Sequence, residues 1–242
     1  MTLIDDFLDQ YLREWDFFIK AAQLCAQQCE TLLEQNGIRA IVTFRAKRPD
    51  RLKPKLATRN KQKKYKTFDA IYKDIPDLAG VRVALYFPDD KWEVDKLIRA
   101  KFTVALTKVF PEKKRRSTKT KSTYQKRFSG YWATHYRVYL QSDDPSDADF
   151  RYASAQIEIQ VASVLMHGWA EVEHDLLYKP LSGQPSDTER SILDEINGIV
   201  LAGEIGLERL QNAVKLRLGM QEQHFSNHYE LAAYIYERVT NR

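Results

Sequence analysis

Long apolar runs are missing from this chain: nowhere in its 242 residues are there the roughly 18 consecutive apolar positions that a membrane-spanning helix needs. Cysteine is scarce. Cys25 and Cys29 are the only two, four apart in a helical pattern, which points to free thiols in a reducing cytoplasm more than to a disulfide or a zinc site. The nine glycines form neither Gly-x4-Gly-Lys-[Ser/Thr] nor Gly-x-Gly-x-x-Gly, so Ras-like and Rossmann readings fall away and any phosphate must be held by side chains. Residues 1–10 carry three aspartates and no basic side chain, so neither a secretory signal nor a mitochondrial transit peptide is expected there. No two histidines stand four apart with a glutamate between them. His167 and His174 are seven apart, about 10 Å along a helix, too far to share a zinc ion.

What is present is a globular balance, 43% hydrophobic and 29% charged, with its charge strongly segregated. Residues 45–66 hold eleven Lys or Arg against Asp50 alone, and residues 108–127 hold nine against Glu112 alone. The formal net charge is only +5, so the rest of the chain is acidic. An acidic body with two concentrated cationic segments implies a polyanionic ligand met at one place.

The pattern predicts a single α/β (α+β) domain, a mixed β-sheet flanked by helices, with helical extensions at both ends. Residues 1–40 are read as an N-terminal helical extension, 41–180 as the core, and 181–242 as C-terminal helices packing on it. Ile4, Phe7, Leu8, Tyr11, Leu12, Trp15, Phe18 and Ile19 recur at helical steps, predicting one helix over 3–35, ended by Asn36-Gly37. Strands are expected over 41–48, 81–87, 102–110, 134–140 and 152–161, and helices from Pro49, over 89–101 with Trp92, Leu97 and Ile98 buried, over 164–178, over 187–218, and over 229–239. An acidic turn is expected around Asp143-Asp144-Pro145. The basic, Ser- and Thr-rich loop before Ser129 is of a length that usually carries function or is disordered.

Four groups of residues carry chemistry. Arg45 and Lys47, two apart on a strand, project from one face, and Lys55 follows on the next helix; three cations from two elements suit a polyphosphate. Asp77, in Asp77-Leu78-Ala79-Gly80-Val81-Arg82, stands at a strand mouth, where an acid is often only a turn former. In Ile157-Glu158-Ile159-Gln160 a carboxylate and an amide share the face opposite two isoleucines. Asp77 and Glu158 together provide the two carboxylates that Mg²⁺-dependent phosphate transfer requires. Gly130-Tyr131-Trp132-Ala133-Thr134-His135 adds an aromatic ring and an imidazole after a glycine that permits a turn. His167, Glu171, His174 and Tyr178 share one helix face, read as a polar surface buttressing the sheet.

Taken in order, these motifs resemble the synthetase domain of the RelA/SpoT family, particularly the small single-domain alarmone synthetases. Arg45-x-Lys47-x7-Lys55 is similar to the family's ATP-phosphate motif, Asp77-x-x-Gly80-x-Arg82 to its metal-binding motif, Gly130-Tyr131-x3-His135 to its acceptor loop, and Glu158-x-Gln160 to its catalytic strand. The helix from Trp169 through Glu173-His174 to Tyr178-Lys179 resembles the one that follows it. The resemblance implies a nucleotidyltransferase-like fold and a 3′-pyrophosphokinase with Mg²⁺ on Asp77 and Glu158. It implies ATP held by Arg45, Lys47, Lys55 and Arg82, and a purine nucleotide, GDP or GTP by default, met by Tyr131, His135, Arg127 and Gln160. Adenosine nucleotides and the 3′ end of tRNA are the alternative acceptors, and a non-catalytic nucleotide- or RNA-binding module is the alternative of another class. Three departures fall on the acceptor side: the family usually has arginine where this chain has Trp132 and Ala162, and a Lys-Asp-Tyr type opening to the acceptor loop where this chain has the longer cationic stretch Lys113 to Arg127, with Lys113, Lys114, Arg115 and Arg116 in a row. A hydrolase is not expected, since no His-Asp metal domain precedes Arg45. A cytoplasmic protein and a homo-oligomer assembled through the flanking helices complete the expectation.

Overall fold

The computed structural model describes residues 2–111, 126–141, 149–178, 184–219 and 227–240. Helix α1 (Leu3–Arg13) starts at Thr2, whose hydroxyl accepts from the Asp5 amide while Asp5 reaches back, a reciprocal capping box. Helix α2 (Trp15–Gln35) follows at once. The helix expected over 3–35 is therefore two. Glu14 leaves helical geometry at φ −96°, ψ 6° because the two halves have different partners: α1 lies on α3 (Pro49–Lys63), whereas α2 lies on the first two strands. Gly37, at φ +67°, ends α2, with the Ile38 amide donating back to the Leu33 carbonyl.

Five strands form one mixed sheet in the order β1 (Ala40–Ala46), β2 (Ala79–Leu85), β5 (Ile157–Ser163), β4 (Ala133–Tyr139), β3 (Thr103–Phe110). Only β2 and β5 run parallel; the other neighbours are antiparallel. Helices α4 (Phe68–Asp74) and α5 (Lys91–Lys101) lead into and out of β2. The main core holds Phe7, Tyr11, Phe18, Cys25 and Cys29 against Val81, Val83, Ile157 and Ile159, the inward members of strands with period-2 alternation. Both cysteines are free thiols inside it. A second cluster of Ala133, Ala162, Met166 and Trp169 sits under α6 (Val164–Glu173) and α7 (Asp187–Gly219). Strand β5 is thereby covered on both faces, and only Gln160 of its seven residues is less than buried. Helix α8 (His228–Thr240) is the last element. No described helix is long and apolar enough to cross a membrane.

Four further expectations change. Trp92 is 68% exposed with the Lys91 ammonium over its ring; Val94 and Ile98 provide the buried side of α5. Residues 152–154, expected to begin a strand, belong instead to a 3-10 turn, Phe150–Ser154, whose Tyr152 is buried with its ring stacked on Phe17 at 5.4 Å. Helix α6 continues into a π-helical turn, His174–Tyr178. Of the apolar repeat expected to line α7, Ile192, Ile196, Ile199, Val200, Ile205, Leu207 and Leu210, only Val200 and Leu207 are partly buried, Val200 against the second cluster, and the others are exposed, while the buried positions are Leu193, Asp194, Asn197 and Gln211. The acidic turn around Asp143-Asp144-Pro145 and Lys179 lie outside the described residues.

Candidate active site

Strand register aligns the site. Thr43, Arg82, Gln160, His135 and Lys108 are paired in sequence across the five strands, and Arg45, Gly80, Glu158 and Arg137 form the adjacent row. Directly opposed residues project to the same side, so both rows lie on the sheet face opposite the main core. Gly80 has no side chain between Arg45 and Glu158. A pocket opens there, lined by Thr43, Phe44, Arg45, Asp77, Gly80, Val81, Arg82 and Gln160.

On one side of the pocket, Lys47 and Lys55 converge on Asp77. Lys47 bonds one carboxylate oxygen, and the Lys55 ammonium donates to the other at 3.0 Å. Burial alone would raise the Asp77 carboxyl, but the two ammonium groups outweigh it and hold its pKa at about 2. The convergence depends on the backbone: the Lys47 amide donates to the Leu78 carbonyl at 2.9 Å, and the buried Tyr11 hydroxyl of α1 donates to the Lys47 carbonyl at 2.7 Å. Arg45 and Arg82 stand close enough that Arg82, second to burial, pushes the Arg45 guanidinium downward. Arg82 lines the pocket while its guanidinium is paired with Glu171 of α6, a partner that strand patterning could not reveal.

Glu158 is 9% exposed, accepts from the Gln160 amide at 2.7 Å and lies 3.6 Å from His135 Nδ1. Burial works to raise its carboxyl, yet His135 and Gln160 together leave it below the usual glutamate range, so it is ionised at neutral pH. On its other edge the His135 ring meets the Tyr131 hydroxyl at 3.4 Å and the Phe110 ring at 4.7 Å. Burial pushes the Tyr131 phenol up to about 12. His167 packs behind, its Nε2 donating to the Val83 carbonyl at 3.3 Å; burial, then Arg82, hold it down at about 4, a neutral imidazole.

The expected residues therefore fall into two groups that meet at Glu158 and Gln160: Arg45, Lys47, Lys55, Asp77 and Arg82 on one side, Tyr131 and His135 on the other. Gln160 belongs to both, bonding Glu158 and lining the pocket. Arg127 is exposed, and its backbone amide donates to Asp194 of α7 at 2.6 Å. Trp132 is 47% exposed with its indole N–H on Ser129. Lys113, Lys114, Arg115 and Arg116 lie outside the described residues. Among the described residues no group of three or more His, Cys, Asp or Glu is built to hold a metal. Asp77 and Glu158 sense each other electrostatically, and as two ionised carboxylates they fit a hard cation that takes its remaining oxygens from phosphates and water.

The model of the region found in RelA / SpoT proteins matches residues 44–182, which takes in both halves of the site. Solved structures with the same fold include a GTP pyrophosphokinase family protein from Streptococcus pneumoniae, 21% identical, covering 88% of this chain and 98% of that one with a TM-score of 0.66. Small alarmone synthetase 1 from Bacillus subtilis bound to its product pppGpp is 20% identical, with 86% and 97% covered and a TM-score of 0.59. The same synthetase bound to AMPCPP is 18% identical, with 86% and 98% covered and a TM-score of 0.58. No curated protein matches the sequence.

Proposed function

The chain belongs to the RelA/SpoT family, and from that premise we propose that it is a nucleotide 3′-pyrophosphokinase, taking the β,γ-pyrophosphate of ATP to the 3′-hydroxyl of GDP or GTP. The observation that carries this reading is a cationic pocket and a ring cluster of Phe110, Tyr131 and His135 with an ionised, buried carboxylate between them. The similar synthetase bound to pppGpp and to AMPCPP agrees with two nucleotide subsites.

Lys47, Lys55 and Arg45 bind the ATP phosphates, the lysines exchanging part of their hold on Asp77 for phosphate oxygens. Arg82 contacts the same ligand from β2. Tyr131 stacks on the acceptor base, a contact worth about 1–3 kcal/mol and tolerant of base identity. Glu158, oriented by Gln160 and His135, accepts the proton of the 3′-hydroxyl. The hydroxyl oxygen bonds to the β-phosphorus, the bond from that phosphorus to the α,β-bridging oxygen breaks, and AMP leaves with the electron pair. Asp77 and Glu158 would hold Mg²⁺, which supplies charge neutralisation on the transferred phosphates. The helical segments 1–40 and 181–242 serve as extensions on the 41–180 core. We also propose a homo-oligomer, supported by the exposed apolar side chains along α7, with light scattering as its check.

The test is incubation of the purified protein with labelled ATP and Mg²⁺ plus GDP, GTP, ADP, ATP, AMP or deacylated tRNA. A 3′-pyrophosphorylated guanosine nucleotide and one AMP per transfer are expected, and Glu158→Gln should lower kcat by about 10²–10⁴ without loss of fold. Labelled tRNA or an adenosine product alone transfers the same chemistry to the alternative acceptor. No product with any acceptor leaves the non-catalytic binding module as the better reading.

A further inference from the structure

The segment that delivers Tyr131 takes its hydrogen bonds from α7. Asp194, 4% exposed, accepts from the backbone amides of Arg127 at 2.6 Å and Phe128 at 3.2 Å. Asn197, fully buried, accepts from the Gly130 amide at 3.1 Å and donates to the Gly130 carbonyl at 3.4 Å. One turn of helix thus satisfies both polar groups of the glycine immediately before the proposed stacking ring. Gly198 is part of the same cradle: a Cβ there would stand 2.5 Å from the Phe128 ring, so the loop lies against bare helix backbone. Helix α6 closes the other side, with Glu173 bonded to the Lys126 ammonium, which also lies 5.8 Å from the Trp169 ring centre. Gly130 itself is at φ +79°, the left-handed region that favours glycine, and Asn197 bonds both its amide and its carbonyl there.

A buried aspartate and a buried asparagine on the inward face of a helix are costly unless each oxygen and N–H is matched, and an apolar pair would pack there more simply. Both bond backbone atoms within residues 127–130, the segment leading to Tyr131, so what they specify there is the path of that loop. We infer that Asp194 and Asn197 are positioning residues for the acceptor subsite, setting the place of Tyr131 without touching substrate. This rests on the proposed function for the identity of the ligand, and on the hydrogen bonds for the role of α7.

Binding is read separately from turnover. By titration calorimetry, the wild-type protein and the Asp194→Ala, Asp194→Asn and Asn197→Ala variants are each titrated with GDP and with α,β-methylene ATP, and thermal melts are recorded alongside. Loss of these bonds should weaken GDP about tenfold or more for either alanine variant and by less for Asp194→Asn, which keeps an acceptor oxygen, with the ATP analogue unchanged. Gly198→Ala, which leaves every hydrogen-bonding group in place but displaces Phe128, should weaken GDP alone as well. Equal weakening of both ligands, or GDP affinity unchanged in variants that melt as wild type does, overturns the inference. Wild-type protein that binds both ligands but transfers nothing removes the proposed reaction and leaves the positioning role standing.

Discussion

His167 and Asp77 give the folded protein an acid sensitivity that can be worked out from their direction of shift. His167 has its pKa lowered from 6.5 to about 4, so the unfolded chain binds a proton first as pH falls and stability drops between pH 6.5 and 4, by up to about 3 kcal/mol. Asp77 is lowered from 3.8 to about 2, so its contribution is complete above pH 3.8 and disappears as pH falls towards 2, by about 2 kcal/mol. The loss of stability should therefore begin near pH 6, before Asp77 titrates. Urea unfolding between pH 7.5 and 2.5 should show this slope in the wild type and a much flatter one above pH 4 in His167→Gln, with the steep region below pH 4 retained. An identical slope in the variant would mean that some other group takes up the proton.

At the scale of the strand, Gly80 separates folding from function. A Cβ there meets only the Arg45 and Glu158 carbonyls, at 3.8 and 3.9 Å, so the sheet tolerates one. A branched side chain would nevertheless stand on the site face, between Arg45 and Glu158. Gly80→Val should keep its melting temperature within a few degrees and lose kcat/KM by about a hundredfold, with Gly80→Ala between; an unfolded Gly80→Val would show that the space serves packing. The strands and their site residues were legible because a period of two sorts Arg45, Arg82, Glu158, Gln160 and His135 onto one face without reference to anything distant. Helix breaks and helix faces were less so. The break at Glu14 follows from α1 and α2 having different partners, and the continuous apolar spacing through it carries no trace of that. On α7 the isoleucines dominate the periodicity and yet are exposed, whereas the inward Asp194 and Asn197 match the backbone, and Gly198 the Phe128 ring, of a loop more than sixty residues away. The Arg82–Glu171 pair likewise joins residues that nothing local relates.

Across the whole molecule the two helical flanks attend to different halves of the site. From the N-terminal side, the Tyr11 hydroxyl holds the Lys47 carbonyl and lies 3.3 Å from that of Leu78, the two segments that bring Lys47 and Asp77 together. From the C-terminal side, Asp194 and Asn197 hold residues 127–130. The sheet between them is paired through every strand from β1 to β3, so neither flank needs to move for the other to fit. Tyr11→Phe removes one buried hydrogen bond, worth about 1 kcal/mol, while keeping the ring in its cluster with Phe7 and Phe18. It should raise the KM for ATP several-fold and leave that for the acceptor nucleotide unchanged, the mirror image of Asn197→Ala. Because the two residues share no hydrogen-bond partner, their effects on kcat/KM should multiply in the double variant to within about a factor of two. A double variant no worse than the poorer single one would show instead that the flanks act on a common element, and the sheet would then be transmitting between the subsites.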